Sequence, residues 1–332
     1  MRLVTRADFD GLVCGALVTM MEEIDSYLFI EPKFMQDGMV EIRPGDVIAN
    51  LPYHPNCALW FDHHITNAAS WLCHIGVSPS ESEDVRPETR NPTIVAGKGG
   101  FRLAPSAARV IYEYYTTLED KKQAQQGGKA SQNLNTLTSE RMRYLLEETD
   151  KIDAGRLTPE DVLHPSGYVL ISMTLEGKKP EDEPYWKRLI GLLRDASLDE
   201  ILAVEEIRQR CQQILDDQEK LKRILLNCAS LKGNVIFVDL RGVKDIPDGN
   251  RFLLYTLFPA GNISVKIAYD NQRPGTTAIS VGYNIFNTTS EVNVGALLGR
   301  FGGGGHRVVG SCRVPNDQAE KAIEEIFAAV KE

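Results

Sequence analysis

The chain has 332 residues, of which 42% are hydrophobic and 25% are charged, and its formal net charge is −9. This length favours two domains that each bury a core, and no apolar run approaches the ~20 residues that a membrane-spanning helix requires. The acidic balance argues against broad, sequence-independent binding to nucleic-acid phosphates, but it permits a local anion site.

The N-terminus predicts a strand and not a signal peptide. Its sequence, MRLVTRADFDG, reaches Asp8 and Asp10 before any long apolar stretch. The six cysteines are scattered without a CxxC pair, which argues against a zinc knuckle or a compact disulfide framework. We therefore expect a cytoplasmic protein with reduced thiols.

The first part of the chain alternates strand-like and helix-like segments. Residues 1–5, 46–50 and 58–61 are predicted strands, and the segment LVCGALVTMMEEI between the first two has helical periodicity. Such alternation predicts an α/β domain with a doubly wound, mainly parallel sheet.

The next part is predicted to be a loop followed by helices. Residues 78–102 are rich in Pro, Ser, Gly and charge, which predicts a loop, and helices are predicted at 104–120 and 138–153. Residues 121–136 are polar and lack an apolar stripe, so we interpret them as an exposed excursion.

A helical segment and a change of composition set off the last hundred residues. Residues 185–226 are strongly helical, interrupted only by Gly191, and suit a long connector helix better than a core element. Beyond it, the strand-like segments VIFVDL, NISVKIAYD and TAISVGYNIF precede a helix, a glycine run, another strand and a final amphipathic helix. This order predicts a separate, smaller α+β domain.

Two carboxylates follow the first predicted strand. Asp8 and Asp10 are two residues apart, so in extended chain both side chains face the same side. Open α/β sheets place ligand sites at the carboxyl ends of their strands. A lone DxD is more typical of a solvated turn, but Gly11, Gly15 and Ala16 predict a helix packed close to the sheet, which favours a metal site.

A second polar group, Asp62, His63 and His64, ends another predicted strand. Adjacent imidazoles on a regular element cannot both face one ion, so we expect one to bind metal and the other to face the substrate or support the ligands. Asp150 and Asp153, at a helix end, are further candidate ligands. Oxygen-rich ligands with one or two imidazoles favour Mn²⁺ or Mg²⁺ over zinc held by thiolates.

A run of four glycines, residues 302–305, ends on His306. Glycine loses much conformational entropy on folding, so we expect the backbone there to approach another group closely or to adopt positive φ. Bare N–H groups in such a turn form an anion-binding nest, and Arg300 and Arg307 flank it. Residues 231–314 also hold nine Lys or Arg against five Asp or Glu, which favours a phosphate ligand. We expect that the fold itself does not require the four glycines.

These motifs resemble those of the DHH phosphoesterase superfamily with its DHH-associated C-terminal domain. The resemblance rests on TRADFDG, WFDHH and FGGGGH, in the family's order, and spans nearly the whole chain. It implies a metal-binding phosphoesterase domain at 1–190, a helical connector at 191–230 and a C-terminal substrate-binding domain at 231–332. It also implies a two-ion site in the cleft between the domains, where phosphodiesters or phosphoanhydrides are hydrolysed.

Carried over by position, the resemblance implies a role for each candidate residue. The implied metal ligands are Asp8, Asp10, His63 and, from the family's fourth motif, Asp150, with Asp153 as the competing candidate. The implied catalytic group beside them is His64 with Asp62. The substrate's phosphate or terminal nucleotide would be held by Gly303, Gly304, Gly305 and His306, with Arg300 and Arg307 beside them.

Two positions depart from the family pattern. Arg6 stands where the family usually has a metal-binding His, and Asn50 stands where a bridging Asp ligand is expected. An amide is a weaker ligand than a carboxylate, and an arginine brings a fixed positive charge, so we expect one or two ions of Mn²⁺ or Mg²⁺. In one hypothesis the protein is a hydrolase in which Arg6 neutralises phosphate charge during catalysis. In the other it binds a nucleotide, a phosphate ligand or a partner without turnover.

The expected substrate is small and phosphorylated. A short oligonucleotide, a nucleotide bisphosphate and polyphosphate all present a suitable end group. We expect no membrane partner and no broad nucleic-acid binding, and a homodimer is the common state of soluble enzymes.

Overall fold

The computed structural model describes residues 1–67, 94–95, 99–126, 132–175, 179–247, 249–270 and 272–331. Cys73 and most of the loop predicted at 78–102 lie outside the described residues. The chain divides into two compact units, an N-terminal unit of Met1–Leu157 with Ser166–Arg210 and a C-terminal unit of Thr158–Pro165 with Cys211–Glu332. The domain bounds derived from the resemblance stay a prediction.

Six short strands form the sheet of the N-terminal unit: β1 Arg2–Thr5, β2 Ser26–Phe29, β3 Val47–Ala49, β4 Leu59–Asp62, β5 Ile94–Val95 and β6 Gly99–Phe101. Their order is β2-β1-β3-β4-β6-β5, and all neighbours pair in parallel except β5, which is antiparallel to β6. The predicted α/β class and the strands predicted at 1–5, 46–50 and 58–61 are confirmed.

Strand β6 falls inside the segment that was predicted to be a loop. Its sequence, GGF, lacks the branched and aromatic pattern of a strand, yet it pairs in parallel with β4. A Cβ on Gly99 would lie 1.9 Å from the carbonyl oxygen of Trp60, and φ at Gly99 is +130°. Only glycine permits this approach. The loop prediction is therefore wrong for residues 99–101, and also for strand β5, Ile94–Val95.

Eight α-helices with described bounds lie in the N-terminal unit. The first five are α1 Phe9–Met21, α2 Pro32–Gln36, α3 Ala107–Gln126, α4 Gln132–Leu137 and α5 Glu140–Asp153. Helix α6, Pro159–Leu163, belongs to the C-terminal unit, and the other three of the N-terminal unit are α7 Gly167–Met173, α8 Glu183–Asp195 and α9 Leu198–Ala203. Helix α10, Glu205–Cys228, begins in the N-terminal unit and ends in the C-terminal unit. A Cβ on Gly15 of α1 would lie 2.8 Å from Ile190 of α8 and 3.3 Å from Leu3 of β1. The close packing predicted from the small residues of α1 is confirmed.

Helices occupy the described residues at both ends of the polar segment at 121–136. Helix α3 continues to Gln126, and the short helix α4 buries Leu134 and Leu137. Two leucines three residues apart occupy one helix face, so α4 packs although its other residues are polar. The interpretation of the segment as an exposed excursion is wrong at Leu134, and Leu137 follows directly after the segment.

The helical segment at 185–226 consists of three helices. Gly191 lies inside α8, and the chain breaks instead at Ala196, before α9, and at Val204, before α10. Ser197 and Glu200 form a capping box at the start of α9, which explains the break better than the glycine does. Trp186 and Leu189 are buried, so α8 belongs to the core of the N-terminal unit.

The C-terminal unit contains a mixed six-stranded sheet in the order β11-β12-β10-β9-β8-β7, where β8 and β9 are parallel. Its strands are β7 Ala229–Lys232, β8 Val235–Asp239, β9 Ile263–Tyr269, β10 Thr276–Tyr283, β11 Gly304–Gly305 and β12 Val309–Pro315. Its further helices are α11 Leu253–Leu257, α12 Val294–Gly299 and α13 Ala319–Val330. The predicted α+β class of this part is confirmed.

One face of this sheet forms the core of the C-terminal unit with α12 and α13. Val265 of β9 and Val281 of β10 are buried in it beside Leu298 and Ile326. Side chains alternate along a strand, so Ser264, Lys266, Ser280 and Gly282 lie on the opposite face. Of the helices in the described ranges, none combines the length and the apolar character that crossing a membrane would need.

Candidate metal centre

Three parallel strands of the N-terminal unit end in polar side chains at one edge of the sheet. Strand β1 is followed by Asp8 and Asp10, strand β3 is followed by Asn50, and strand β4 runs into the triplet at 62–64. Because the carboxyl ends of parallel strands share an edge, the segments predicted to bind metal converge there.

Asp62 organises the triplet. It is fully buried, and its Oδ1 accepts hydrogen bonds from the backbone N–H groups of His63 at 2.7 Å and of His64 at 3.2 Å. The same oxygen lies 2.8 Å from Nδ1 of His64, and Asn67 Nδ2 donates to Oδ2 at 2.7 Å. The hydrogen bond to Asp62 raises the pKa of His64, although burial opposes this shift. Asp62 thus orients His64 and favours its protonated form.

His63 presents an unpaired nitrogen to the site. Its Nδ1 lies 3.0 Å from the carbonyl oxygen of Ala104, which can only accept, so Nδ1 carries the hydrogen and Nε2 the lone pair. Nε2 is buried without a hydrogen-bond partner among the described residues and lies 3.3 Å from Oδ2 of Asp153. Two lone pairs at this distance repel each other unless a proton or a metal cation lies between them. A histidine held by a backbone carbonyl in this way is typical of a metal ligand.

Asp10 and Asp153 form a cluster with His63, and the candidate ligand atoms lie within 4.8 Å of one another. Asp10 is 2% exposed and accepts hydrogen bonds from the backbone N–H groups of Ala107 at 3.0 Å and Ala108 at 2.9 Å, at the start of α3. Burial raises the pKa of Asp10 to about 6, and burial with the negative charge of Asp10 raises the pKa of Asp153 to about 8. The protein therefore compensates the negative charge of this cluster incompletely, and a divalent cation would supply the missing positive charge.

Asp150, the candidate that the resemblance favours for the fourth motif, is held in an ion pair and is not part of this cluster. Arg109 donates to Oδ2 of Asp150 from Nε at 2.9 Å and from Nη2 at 2.6 Å. Ser106 Oγ donates to Oδ1 at 2.6 Å. Both oxygens of Asp150 are thus occupied, whereas Asp153, one turn further along α5, lies beside His63.

The Asp8 carboxylate is paired with cationic and neutral donors of the protein. Arg6 Nη1 lies 2.9 Å from Oδ2 of Asp8, and Arg6 Nη2 lies 3.3 Å from Glu31 Oε2. Oδ1 of Asp8 accepts from the Gly11 N–H at 2.9 Å and from Asn50 Nδ2 at 3.2 Å. The residues around Asp8 therefore do not fit a second divalent ion, whereas the cluster of Asp10 with its two neighbours fits one.

Asn50 retains one free acceptor. It is 1% exposed, its φ of +57° lies in the left-handed region that Asn tolerates, and its Oδ1 is buried without a partner in the described part of the chain. The amide therefore supports Asp8 through its nitrogen while its oxygen is still able to accept from, or ligate, a group bound in the site.

The glycine run forms a turn and strand β11 in the C-terminal unit. φ is +71° at Gly302 and +149° at Gly305, and a Cβ on Gly303 would lie 2.2 Å from the carbonyl oxygen of Ser311 in β12. The expectation of positive φ and close approach is confirmed. The expectation that the run has no structural need is wrong, because the hairpin of β11 and β12 requires bare backbone at Gly303.

The first two backbone donors of this run are used within the fold. The N–H of Gly302 donates to the carbonyl oxygen of Gly299, and that of Gly303 donates to the carbonyl oxygen of Leu298. The N–H of His306, after the run, donates to the carbonyl oxygen of Val309. The side chains of His306, Arg300 and Arg307 are exposed. A Cβ added to Gly304 would meet no atom within 4 Å.

Four groups of the N-terminal site were not predicted from the sequence: the carbonyl of Ala104, Ser106, Arg109 and Asn67. The first three lie in the segment LAPSAAR, which was interpreted only as the beginning of a helix. Its small residues let the first N–H groups of α3 reach the Asp10 carboxylate, a common way for helix N-termini to bind anions. The sequence shows such a helix start but not the group that it faces.

No family model and no curated protein matches the chain. Among solved structures, the pGpG-specific phosphodiesterase PggH from Vibrio cholerae is similar with a TM-score of 0.78 and 30% sequence identity over 99% of both chains. RecJ from Thermus thermophilus, solved with Mn²⁺, has a TM-score of 0.51 and 14% identity over 98% of this chain and 51% of RecJ. An exopolyphosphatase-related protein from Bacteroides fragilis has a TM-score of 0.48 and 11% identity over 98% and 91% of the two chains.

The similarity to PggH extends over the whole chain at an identity that indicates common descent, and the RecJ structure shares the fold. The polar ends of β1 and β4 contain two of the motifs on which the resemblance is based. The chain belongs to the DHH phosphoesterase superfamily.

Proposed function

We propose that the protein is a metal-dependent phosphodiesterase that hydrolyses a short linear oligonucleotide, such as a guanine dinucleotide. The proposal rests on the buried lone pair of His63 Nε2, which faces the carboxylates of Asp10 and Asp153. The similarity to a pGpG-specific phosphodiesterase over 99% of both chains supports the reaction and the class of substrate. A nucleotide bisphosphate or polyphosphate has no comparable support.

Mn²⁺ or Mg²⁺ is the proposed cofactor, with Asp10, His63 and Asp153 as the residues that would hold it. Two carboxylates and one imidazole are ligands that suit these ions. When bound, the ion would polarise a phosphoryl oxygen and lower the pKa of water. One ion is proposed, because the charge of Asp8 is already balanced by Arg6.

Two side chains of the protein would serve the reaction beside the ion. His64 holds its proton more readily than an ordinary histidine, because its pKa is raised by Asp62, so it can donate that proton to the leaving oxygen. Arg6 supplies a fixed positive charge that suits a phosphate oxygen. Asp62 acts through His64, by holding the orientation and charge of its ring.

Hydrolysis is tested with purified protein, MnCl₂ and pGpG, followed by chromatographic separation of the products. GMP should form, and His63→Ala should lower the rate by about 100-fold because it removes the nitrogen ligand. His54→Ala is the matched control, since His54 lies in the loop between β3 and β4, where its Nδ1 accepts from the Asn56 N–H. Equal rates for wild type and His63→Ala would exclude the proposed enzyme.

A binding protein without turnover is the second candidate, and the ion pair of Arg6 with Asp8 favours it. A guanidinium in place of a metal-binding histidine attracts a phosphate but does not activate water. In that case pGpG would bind, as measured by calorimetry, while no GMP accumulates with either Mn²⁺ or Mg²⁺. Formation of GMP that depends on His63 would exclude this candidate.

A further inference from the structure

A buried ion pair of the N-terminal unit lies beside the candidate metal centre but contains none of the proposed ligands. Asp150 of α5 is 8% exposed, and Arg109 of α3 donates to one of its oxygens from Nε at 2.9 Å and from Nη2 at 2.6 Å. Ser106, which is fully buried, donates to the other oxygen at 2.6 Å. Both partners belong to residues 104–109, which we call the entry turn of α3.

The entry turn also holds two of the three proposed ligands. The N–H groups of Ala107 and Ala108 donate to the carboxylate of Asp10. The carbonyl oxygen of Ala104 lies 3.0 Å from Nδ1 of His63. These holding groups are all main-chain atoms, so their positions depend on where the backbone of the turn lies. A shift of the turn would therefore displace the hydrogen-bond partners of both ligands together.

Ser106 connects the ion pair to the main chain of the turn. Its Oγ accepts from the N–H of Arg109 at 3.1 Å while it donates to Asp150, so one hydroxyl both caps α3 and ties it to α5. Asp153, the third proposed ligand, lies one turn after Asp150 on the same helix. Asp150 thus links the helix that carries one ligand to the turn that holds the other two.

A second buried pair of the same composition lies at the other edge of the sheet. Arg2 donates to the two oxygens of Asp46 from Nε at 3.0 Å and from Nη2 at 2.6 Å, and Asp46 is 2% exposed. Arg2 begins β1 and Asp46 directly precedes β3, so this pair lies at the amino ends of the strands. The two pairs match in chemistry and burial and differ in their distance from the metal centre.

We propose that Asp150 is a positioning residue of the metal centre and acts through the entry turn of α3. Its ion pair with Arg109 would keep the carbonyl and N–H groups of the turn aimed at His63 and Asp10. Removal of groups that orient metal ligands typically costs about 10- to 100-fold in metal affinity. The part of this inference that concerns the ion rests on the proposed function, whereas the orientation of the His63 ring does not.

The first test uses the full chain in EDTA, where NMR of nitrogen-labelled histidine distinguishes a protonated from an unprotonated ring nitrogen. In the wild type, His63 should carry its hydrogen on Nδ1, because a carbonyl oxygen only accepts. In Asp150→Asn and Arg109→Gln, part of the molecules should carry it on Nε2, because a displaced carbonyl no longer fixes the tautomer. Asp46→Asn and Arg2→Gln, the matched controls, should leave the His63 signals unchanged.

The second test is calorimetric titration with MnCl₂. Asp150→Asn and Arg109→Gln should each weaken binding by about tenfold, whereas Asp46→Asn and Arg2→Gln should bind Mn²⁺ as the wild type does. Thermal unfolding should show comparable losses of stability in all four variants, so a role confined to stability would affect the two pairs alike. Ser106→Ala, which removes a single hydroxyl, should change both readouts in the same direction and replaces Asp150→Asn if that variant does not fold.

Unchanged His63 signals in Asp150→Asn would overturn the inference, and if Mn²⁺ binding were lost at the same time, Asp150 would be a ligand. Altered His63 signals in Asp46→Asn would also overturn it, because the effect would then be general. Equal Mn²⁺ affinity in the wild type and Asp150→Asn would have the same consequence. Absence of Mn²⁺ binding to the wild type would reject the proposed function, while the NMR comparison would still decide the role of Asp150.

Discussion

The cation next to Asp8 is a side chain of the protein and not an exchangeable ion. Arg6 lies 2.9 Å from the Asp8 carboxylate, and the amide of Asn50 occupies the other oxygen at 3.2 Å. A divalent ion at this position would have to displace a guanidinium that is also paired with Glu31. If histidine replaced Arg6 and aspartate replaced Asn50, the site would lose a fixed cation and a neutral amide and gain two metal ligands.

Replacing Arg6 and Asn50 by the residues of the family pattern should therefore create a second ion site. The double variant Arg6→His with Asn50→Asp should bind two Mn²⁺ ions where the wild type binds one, because a neutral imidazole and a carboxylate replace a guanidinium and an amide. Calorimetry gives the stoichiometry. The matched control is Arg43→His with Asn56→Asp, which makes the same exchanges at exposed positions away from the cluster. Two ions in the wild type, or one in the double variant, would contradict this account.

The raised pKa values of Asp10 and Asp153 predict how pH affects the site. Between the ordinary value near 4 and the raised values of about 6 and about 8, the folded protein binds more protons than the unfolded chain. Without metal, these groups thus stabilise the fold at the acid end of that window, and this contribution is lost as pH rises to about 8.

Metal binding should show the opposite dependence on pH. Because Mn²⁺ competes with these protons, its affinity should rise from about pH 6 to about pH 8, with proton release. Titrations in buffers of different ionisation heat measure the protons released. Asp153→Asn should bind Mn²⁺ more weakly and with a flatter pH profile, whereas Asp161→Asn, in the capping box of α6, should leave both unchanged. An affinity independent of pH in the wild type would exclude these carboxylates as ligands.

The sequence indicated which strand ends would meet but not which acid of α5 would face them. Asp150 and Asp153 are three residues apart and carry the same group, so periodicity places them on similar faces. The choice depends on Arg109 and Ser106, which hold Asp150 from the next element. Such a contact between elements has no counterpart in the local pattern.

At the scale of elements, two neighbouring positions of the glycine run differ in how much the fold requires glycine. A Cβ added to Gly303 would lie 2.2 Å from the Ser311 carbonyl oxygen, whereas one added to Gly304 would meet open space. Gly303→Ala should lower the free energy of unfolding by about 1–3 kcal/mol or more through overpacking. Gly304→Ala should change it by less than about 0.5 kcal/mol. Urea denaturation measures both changes in the free energy of unfolding. Equal changes would show that the hairpin of β11 and β12 does not require glycine at Gly303.

Strand β6 shows the same limit of local pattern. Its glycines indicate a loop, yet they are what allows the backbone to pair beside Trp60. Strand β2 was not predicted because SYLF is a short segment, exposed or half-buried, without alternation. By contrast, β1, β3 and β4 were predictable because buried parallel strands form continuous apolar runs. Sequence pattern thus identified the strands with continuous apolar runs and missed β2 and β6, although Phe101 of β6 is buried in the core.

At the scale of the whole molecule, the chain combines two compact units that each contain a core. The metal centre consists of residues of the N-terminal unit alone. A ligand that binds only the folded state stabilises it by about 2.7 kcal/mol at one hundred times its Kd. A metal ion bound at this centre should therefore protect the N-terminal unit.

Hydrogen exchange on the full chain can locate the bound ion. Mn²⁺ should slow exchange in peptides that contain the start of α1 and the start of α3, because Asp10 lies in α1 and accepts hydrogen bonds from the first N–H groups of α3. His63→Ala should abolish this protection, and His54→Ala should leave it intact. If Mn²⁺ left the start of α3 unchanged and slowed exchange in β9 and β10 instead, the ion would bind in the C-terminal unit and not at Asp10.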